Sequence, residues 1–404
     1  MAHKTASSRL WLSAIAIAAG GMAAWWWWPD DRISAESGGL IRDGNASFIV
    51  TKFAYALGPD AVGTDSCPNG PSKNVAEIFS ETANGKRRAG ETDEAYGERI
   101  EAGGRAISNA PDGRNFCVNP EIAPLDPNTQ IMLDPKAQAG GIDLDGKNSR
   151  SKSDLTSGRL DFAAADGTTG VDNQFWRAVG CNRSYQQDGP SRGFEEGMYV
   201  GEWGILISLS GVDDLENDSD VDITISANAD PMMLSPSREA LDYGTYSRDR
   251  EPRFRGQTSG RIENGVLVSE PVDVRFHYVV NGMYLERPLR EARIRARLSA
   301  DGVMDGYLAG YTDVVELYDF QFGYRTGKDA EGKPSDEARR VGSANGAARV
   351  LGHTCQGMWQ SLHKLADGHP DKSGKFTSIS TQYKFEARPA FVVEQSGKNA
   401  KQTK

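Results

Sequence analysis

From residue 199 onward, apolar and polar residues alternate in short runs, the two-residue period of strands with one buried face. Val221-Asp-Ile-Thr-Ile-Ser is the cleanest example and places Val221, Ile223 and Ile225 on one side. Residues 199–210 read as a strand ending at Gly211, with further strands predicted over 261–268, 272–280, 283–287, 291–299 and 303–313. Asn264-Gly265, Asn281-Gly282 and Asp301-Gly302 stand between these segments and suit two-residue hairpin turns. The region 199–313 is therefore expected to form an antiparallel meander. Residues 47–57 and 376–394, rich in β-branched and aromatic residues, add strands before and after it.

The period lengthens elsewhere. Short helices are predicted near 73–84 and 92–103. A longer one is expected over 335–367, where Val341, Ala344, Ala348, Leu351, Cys355, Met358, Leu362 and Leu365 recur every three or four residues. Ser335 or Asp336 can cap that helix, and its glycines predict a break near its start. Residues 104–160 are dominated by Gly, Asp, Asn, Pro and Ser and read as a long turn-rich stretch. The expected fold class is β-rich, all-β to α+β: an antiparallel β-sandwich or jelly-roll-like domain with flanking helices, spanning 47–394.

One run breaks both periods. Residues 10–28 carry no charge and end in Trp25 to Trp28. At 1.5 Å per residue this run covers roughly 28 Å, about the thickness of a bilayer core, and indoles favour the membrane interface. Lys4 and Arg9 precede the run, and Asp30 and Asp31 follow it. The positive-inside bias then makes 1–9 a cytoplasmic N-terminus, 10–28 a single transmembrane anchor in the lipid bilayer, and 29–46 a spacer to an extracytoplasmic, periplasmic domain. A cleaved signal with a secreted product is the alternative, but its small residues, Gly21 to Ala24, run straight into the tryptophans. Ser13, Ala16, Gly20 and Ala24 share one helix face and suit packing against another membrane helix. Residues 395–404 form a polar tail expected to be disordered.

The 404 residues carry a formal charge of −10, which argues against nucleic acid as a partner. Cys67, Cys117, Cys181 and Cys355 form no C-x-x-C pair, and an even count in an oxidising compartment predicts two disulfides. The pairs expected are Cys67–Cys117 and Cys181–Cys355. His353 and His363 lie about 15 Å apart along an unbroken helix, too far to share a metal.

The best-marked chemistry is acidic. Gly141-Ile-Asp143-Leu-Asp145-Gly146 is followed by Asp166-Gly167 and by Asp172-Asn173. Hard cations need several oxygens at 2.3–2.6 Å, and Asp or Asn on tight Gly turns can converge that closely. These phrases resemble the calcium-binding loops of thrombospondin type 3 repeats, a resemblance confined to these short stretches. They depart from the EF-hand in the place of Gly146 and in lacking a bidentate Glu. Calcium held by a subset of Asp143, Asp145, Asp166, Asp172 and Asn173 is the expectation; ordinary Asp-Gly turn chemistry is the competing one. The run Asp213 to Asp220 is expected to be a solvated hairpin loop.

The chain contains no Walker-type phosphate loop, no G-x-G-x-x-G and no H-E-x-x-H. The expected function is non-enzymatic: a membrane-anchored binding protein or accessory subunit, associating with a membrane protein assembly or a surface glycan. The alternative is a periplasmic, glycan-active hydrolase using two carboxylates, with Glu202, Glu263 and Glu270 as conceivable acids.

Overall fold

The computed structural model describes residues 40–395, apart from 152, 154–158 and 192. The predicted anchor over 10–28, the segment before it, most of the spacer and the tail lie outside the described residues. Among the described residues, no helix is long and apolar enough to cross a membrane.

The strands, in chain order, are β1 (Asn45–Tyr55), β2 (Phe162–Ala163), β3 (Thr169–Val171), β4 (Gly204–Ser210), β5 (Asn217–Asn228), β6 (Gly244–Arg248) and β7 (Arg255–Glu263). They continue with β8 (Val266–Ser269), β9 (Val272–Val280), β10 (Met283–Leu298), β11 (Met304–Asp313), β12 (Gly368–Pro370) and β13 (Phe376–Glu394). The predicted β-rich class holds, but the sandwich does not. Strands β1, β4, β5, β7, β8, β10, β11 and β13 each pair antiparallel with the next, and β13 then pairs antiparallel with β1. The result is a closed up-and-down barrel in which the meander extends over the whole ring. Closure gives the first strand a partner in the last, so no second sheet is needed to cover an edge.

The alternation read from the sequence points inward as expected. Val221, Ile223 and Ile225 of β5 and Ile294, Ala296 and Leu298 of β10 join one hydrophobic core. Arg293, Arg295 and Arg297 lie on the opposite face of β10. Strand β4 is buried on both faces: Ile205, Ile207 and Leu209 point into the core. Leu206 packs outside it with Ile49, Tyr246 and Ala390. That outer patch lies beside β6, which adds parallel to the end of β13 and makes the sheet mixed.

Asn264-Gly265 and Asn281-Gly282 both have positive φ at both positions, the geometry of type I′ hairpins. At Asp301-Gly302 only the glycine does. The strands predicted over 283–287 and 291–299 are one strand, β10, bent where Glu291 takes φ 49° and the register shifts between Arg290 and Arg293. Its first half pairs with β9 and its second half with β8 and β11.

Seven helices accompany the barrel among the described residues: α1 (Val75–Glu81), α2 (Asp93–Ile107), α3 (Gln174–Val179), α4 (Glu195–Tyr199), α5 (Val314–Gln321), α6 (Glu337–Leu351) and α7 (Cys355–Leu365). The long helix predicted over 335–367 is α6 and α7. It breaks not near its start but at Gly352, which takes a left-handed conformation, and Thr354 caps the next helix. His353 sits buried in that break.

All four cysteines are paired, with a connectivity different from the one expected: Cys67–Cys181 and Cys117–Cys355. Residues 67–72 lie against the end of α3, where the Ser72 amide donates to the Cys181 carbonyl. Cys117 lies beside the α5–α7 layer, its carbonyl accepting from the Tyr318 hydroxyl. Sequence proximity of Cys67 and Cys117 was a poor guide because they attach to different helices. Non-reducing peptide mapping is expected to recover these two linkages. The Cys117→Ser/Cys355→Ser pair, which opens a link spanning 238 residues, is expected to lower the unfolding free energy by about 2–5 kcal/mol in urea titration.

Candidate metal centre

Residues 139–147, with the end of β3 at 170–173, form a strap across the outside of β10, β11 and β13. Ile142 and Leu144 pack on Ala309 and Tyr311 of β11, with Tyr307 alongside. Gln382 of β13 fastens the strap: its Oε1 accepts from the Ile142 amide at 3.1 Å, and its Nε2 donates to the carbonyls of Ile142 and Asp172, each at 2.7 Å. Arg293, one of the three outward arginines of β10, donates to the Leu144 carbonyl.

This strap brings together three of the five predicted ligands. Carboxylate oxygens of Asp143, Asp145 and Asp172 lie within 4.8 Å of one another. Oxygens that bind one calcium at about 2.4 Å can be no farther apart than about 5 Å, so the spacing suits a shared ion. Local turn chemistry sets each of them. Asp143 Oδ1 accepts from the Gly146 amide at 2.7 Å, and Asp145 Oδ1 accepts from the Lys147 amide at 2.8 Å. Asp172 reaches across from the end of β3, where its Oδ2 accepts from the Leu144 amide at 2.6 Å and the Asp145 amide at 3.3 Å. Gly170 permits the approach: at φ +75°, a Cβ there would fall 2.7 Å from the Lys147 carbonyl and 3.2 Å from the Asp143 carboxylate.

The other two predicted ligands have different roles. Asp166 stays in its own turn, accepting from the Thr168 amide at 2.9 Å. Asn173 caps α3 by accepting from the Trp176 amide, and its Nδ2 donates to the Ala56 carbonyl at 2.7 Å. Its side chain is thus committed to holding the helix against the end of β1.

Asp145 is exposed, Asp143 half-buried and Asp172 buried, so the cluster runs from solvent inward. Burial, reinforced by the charges of Asp367, Asp161 and Asp145, pushes the Asp172 carboxyl up to about 8 despite the Leu144 amide. Asp367, absent from the sequence expectation, is a half-buried acid whose carboxyl is pushed up to about 7 by desolvation although Ser380 donates to it through both hydroxyl and amide. Its only sequence sign was an Asp just after a helix of apolar period, a common surface arrangement. Lys147, 3.3 Å from the exposed end of Asp145, is the one ion-pair partner recorded for the three clustered acids among the described residues.

The remaining candidates are dispersed. Glu202, Glu263 and Glu270 are exposed, and Glu263 is ion-paired with Arg261 at 2.5 Å. Of the run 213–220, expected to be a loop, residues 213–216 lie in the β4–β5 connection and 217–220 begin β5, with Asp218 accepting from the Asp213 amide. Gly189-Pro190-Ser191-Arg192-Gly193 has the G-x-S-x-G spacing of a nucleophile elbow, but it lies between a 3-10 turn at Arg183–Tyr185 and α4, not on the strand-to-helix turn that exposes such a serine. Trp176, Tyr185, Trp203 and Tyr246 are buried, while Tyr243 is exposed.

A carboxyl whose folded-state pKa is raised adds stability at low pH that is lost as pH climbs to that value. Without a cation, the melting temperature is therefore expected to fall between pH 6.5 and 8, and Asp172→Asn to flatten that fall. His353, lowered to about 4 by burial, acts in the opposite sense but only below its unfolded value near 6.5. Thermal melts in EDTA across this window check the assignment.

No protein-family model, no curated protein and no solved structure matches this chain.

Proposed function

We propose that this chain is a non-enzymatic, extracytoplasmic binding protein or accessory subunit, tethered by residues 10–28, whose strap is locked onto the barrel by calcium. The convergence of Asp143, Asp145 and Asp172 within 4.8 Å carries the cation reading. An all-oxygen, carboxylate-rich set suits a hard divalent ion and not a thiophilic one. Bound there, the ion would neutralise the buried Asp172 carboxylate and join the turn at 143–147 to the end of β3. Pairing of all four cysteines agrees with an oxidising compartment. The partner in this reading is a membrane protein assembly or a surface glycan, met by the domain while the apolar run holds it at the bilayer.

Calcium titration into EDTA-treated full-length protein tests the site. Saturation at a hundredfold excess over Kd is expected to stabilise the fold by about 2.7 kcal/mol, seen as a raised melting temperature. Affinity is expected to rise with pH, by up to about tenfold per unit near the Asp172 value, because binding displaces its proton. Asp143→Asn/Asp145→Asn should abolish the calcium response while leaving the barrel folded. A melt unchanged by EDTA and calcium would remove the cation from the reading. Recovery of a specific partner from native membranes by the full chain, but not by a chain lacking residues 1–32, tests the tether separately.

A further inference from the structure

The inner face of β10 carries one residue that the barrel core does not explain. Met283, Leu285 and Leu289 alternate into the core, and Arg287 occupies the position between Leu285 and Leu289. It is 1% exposed. Five aromatic rings surround its guanidinium carbon: Phe194 at 4.5 Å, Tyr278 at 4.7 Å, Phe320 at 5.1 Å, Tyr383 at 5.5 Å and Tyr55 at 5.8 Å. Nη1 donates to the Tyr383 hydroxyl at 3.2 Å. The Tyr278 hydroxyl also lies close enough to interact with the guanidinium, while Nε and Nη2 have no partner that meets hydrogen-bond geometry. No ion pair to Arg287 is present among the described residues.

Buried charges in proteins are as a rule paired or fully hydrogen-bonded. Arg177, the other fully buried arginine, has more partners: it stacks on Phe162 and donates to the carbonyls of Leu160, Met132 and Asp134, which leaves only its Nη2 without a hydrogen bond. Arg287 has ring faces but no counter-charge. Its two unpartnered nitrogens, Nε and Nη2, form the side-on edge of the guanidinium, the edge that takes both oxygens of one carboxylate. The Tyr55 hydroxyl, on one of the five rings, is likewise buried without a partner and can donate to an anion.

We propose that the barrel interior at Arg287 is a binding site for a small organic carboxylate, with the carboxylate on the Nε–Nη2 edge and an aromatic or apolar body among the surrounding rings. Four of the five rings belong to strands or to α5. Phe194 alone lies on a loop, immediately before α4, and is only half-buried. Access past Phe194 therefore disturbs the least regular structure. The site is separate from the acidic strap, which lies on the outside of the barrel wall.

Benzoate is the probe, titrated calorimetrically into the full chain in EDTA so that the outcome is independent of the calcium site. Saturable binding is expected in the wild type, absent for neutral benzamide and for inorganic phosphate. Phe194→Ala should tighten binding about tenfold by removing the ring that must move. Arg287→Met, a near-isosteric apolar replacement, should weaken it at least tenfold, and Arg287→Lys should do so as well, because an ammonium lacks the fork. In the wild type, benzoate should also shift the 15N–1H resonance of Arg287 Nε, a readout that does not depend on any variant folding. The proposal is overturned if neither wild type nor Phe194→Ala binds benzoate, if a folded Arg287→Met binds it equally, or if phosphate or benzamide binds as well as benzoate.

Discussion

The antiparallel pairing of β1 with β13, Phe48 opposite Pro389 through to Tyr55 opposite Tyr383, joins two segments more than 300 residues apart and closes the ring. Every other pairing of the barrel joins strands consecutive in the meander and can form with hairpin-like locality or across one insertion. The closing pair cannot: it bears the loop-closure entropy of nearly the whole chain. It is stabilised by what it buries. Phe53 stacks on Tyr383 at 4.7 Å, and Tyr55 on Tyr383 at 5.1 Å, inside the barrel. Both disulfides tie the segments between β1 and the meander to the helical layer and so shorten the effective search for that closure. The strap depends on closure as well, since Gln382 of β13 holds it.

The meander was legible because its information is local. Asn-Gly dipeptides impose positive φ at two successive residues and so mark the turns before any tertiary contact is known. Alternation then decides which face of each strand is inward. Barrel and sandwich share that local signal, and only the pairing of β1 with β13 separates them. The bend in β10 was hidden for a different reason: Glu291 at φ 49° is an uncommon conformation for a glutamate, and nothing in its neighbours announces it. The break in the long predicted helix lay at Gly352, one of several glycines in the segment. Thr354 as a following cap distinguishes it only in retrospect.

The acidic site was partly legible on similar grounds. Asp143 and Asp145 share one tight turn, so their proximity is a local property. Asp172 joins them through a long-range contact, and the sequence placed it among the candidates on residue type alone. Asn173 and Asp166 had the same residue types but other obligations: one must cap α3, and the other closes its own turn. Asp and Asn serve caps, turns and cations with the same oxygens, and only the fold decides which use a given residue has. Arg287 shows the converse. A charge set between Leu285 and Leu289 in an alternating run was visible in the sequence. Its meaning required knowing that this face of β10 looks into a closed barrel and not into water.

Asp172 and Arg287, two buried ionisable groups with no ion-pair partner among the described residues, lie on opposite sides of one strand. Gln382 points outward and grips the carbonyl of Asp172 at 2.7 Å; Tyr383, the next residue, points inward and accepts from Arg287 at 3.2 Å. Alternation along a strand makes this separation obligatory, because neighbouring side chains face opposite ways. The acid and the guanidinium therefore cannot neutralise each other across the sheet, although consecutive residues of β13 touch both. A barrel wall insulates its inner face from its outer one, so each charge must be compensated on its own side. A cation reaching the strap from solvent would do so outside, and an anion admitted to the core would do so inside.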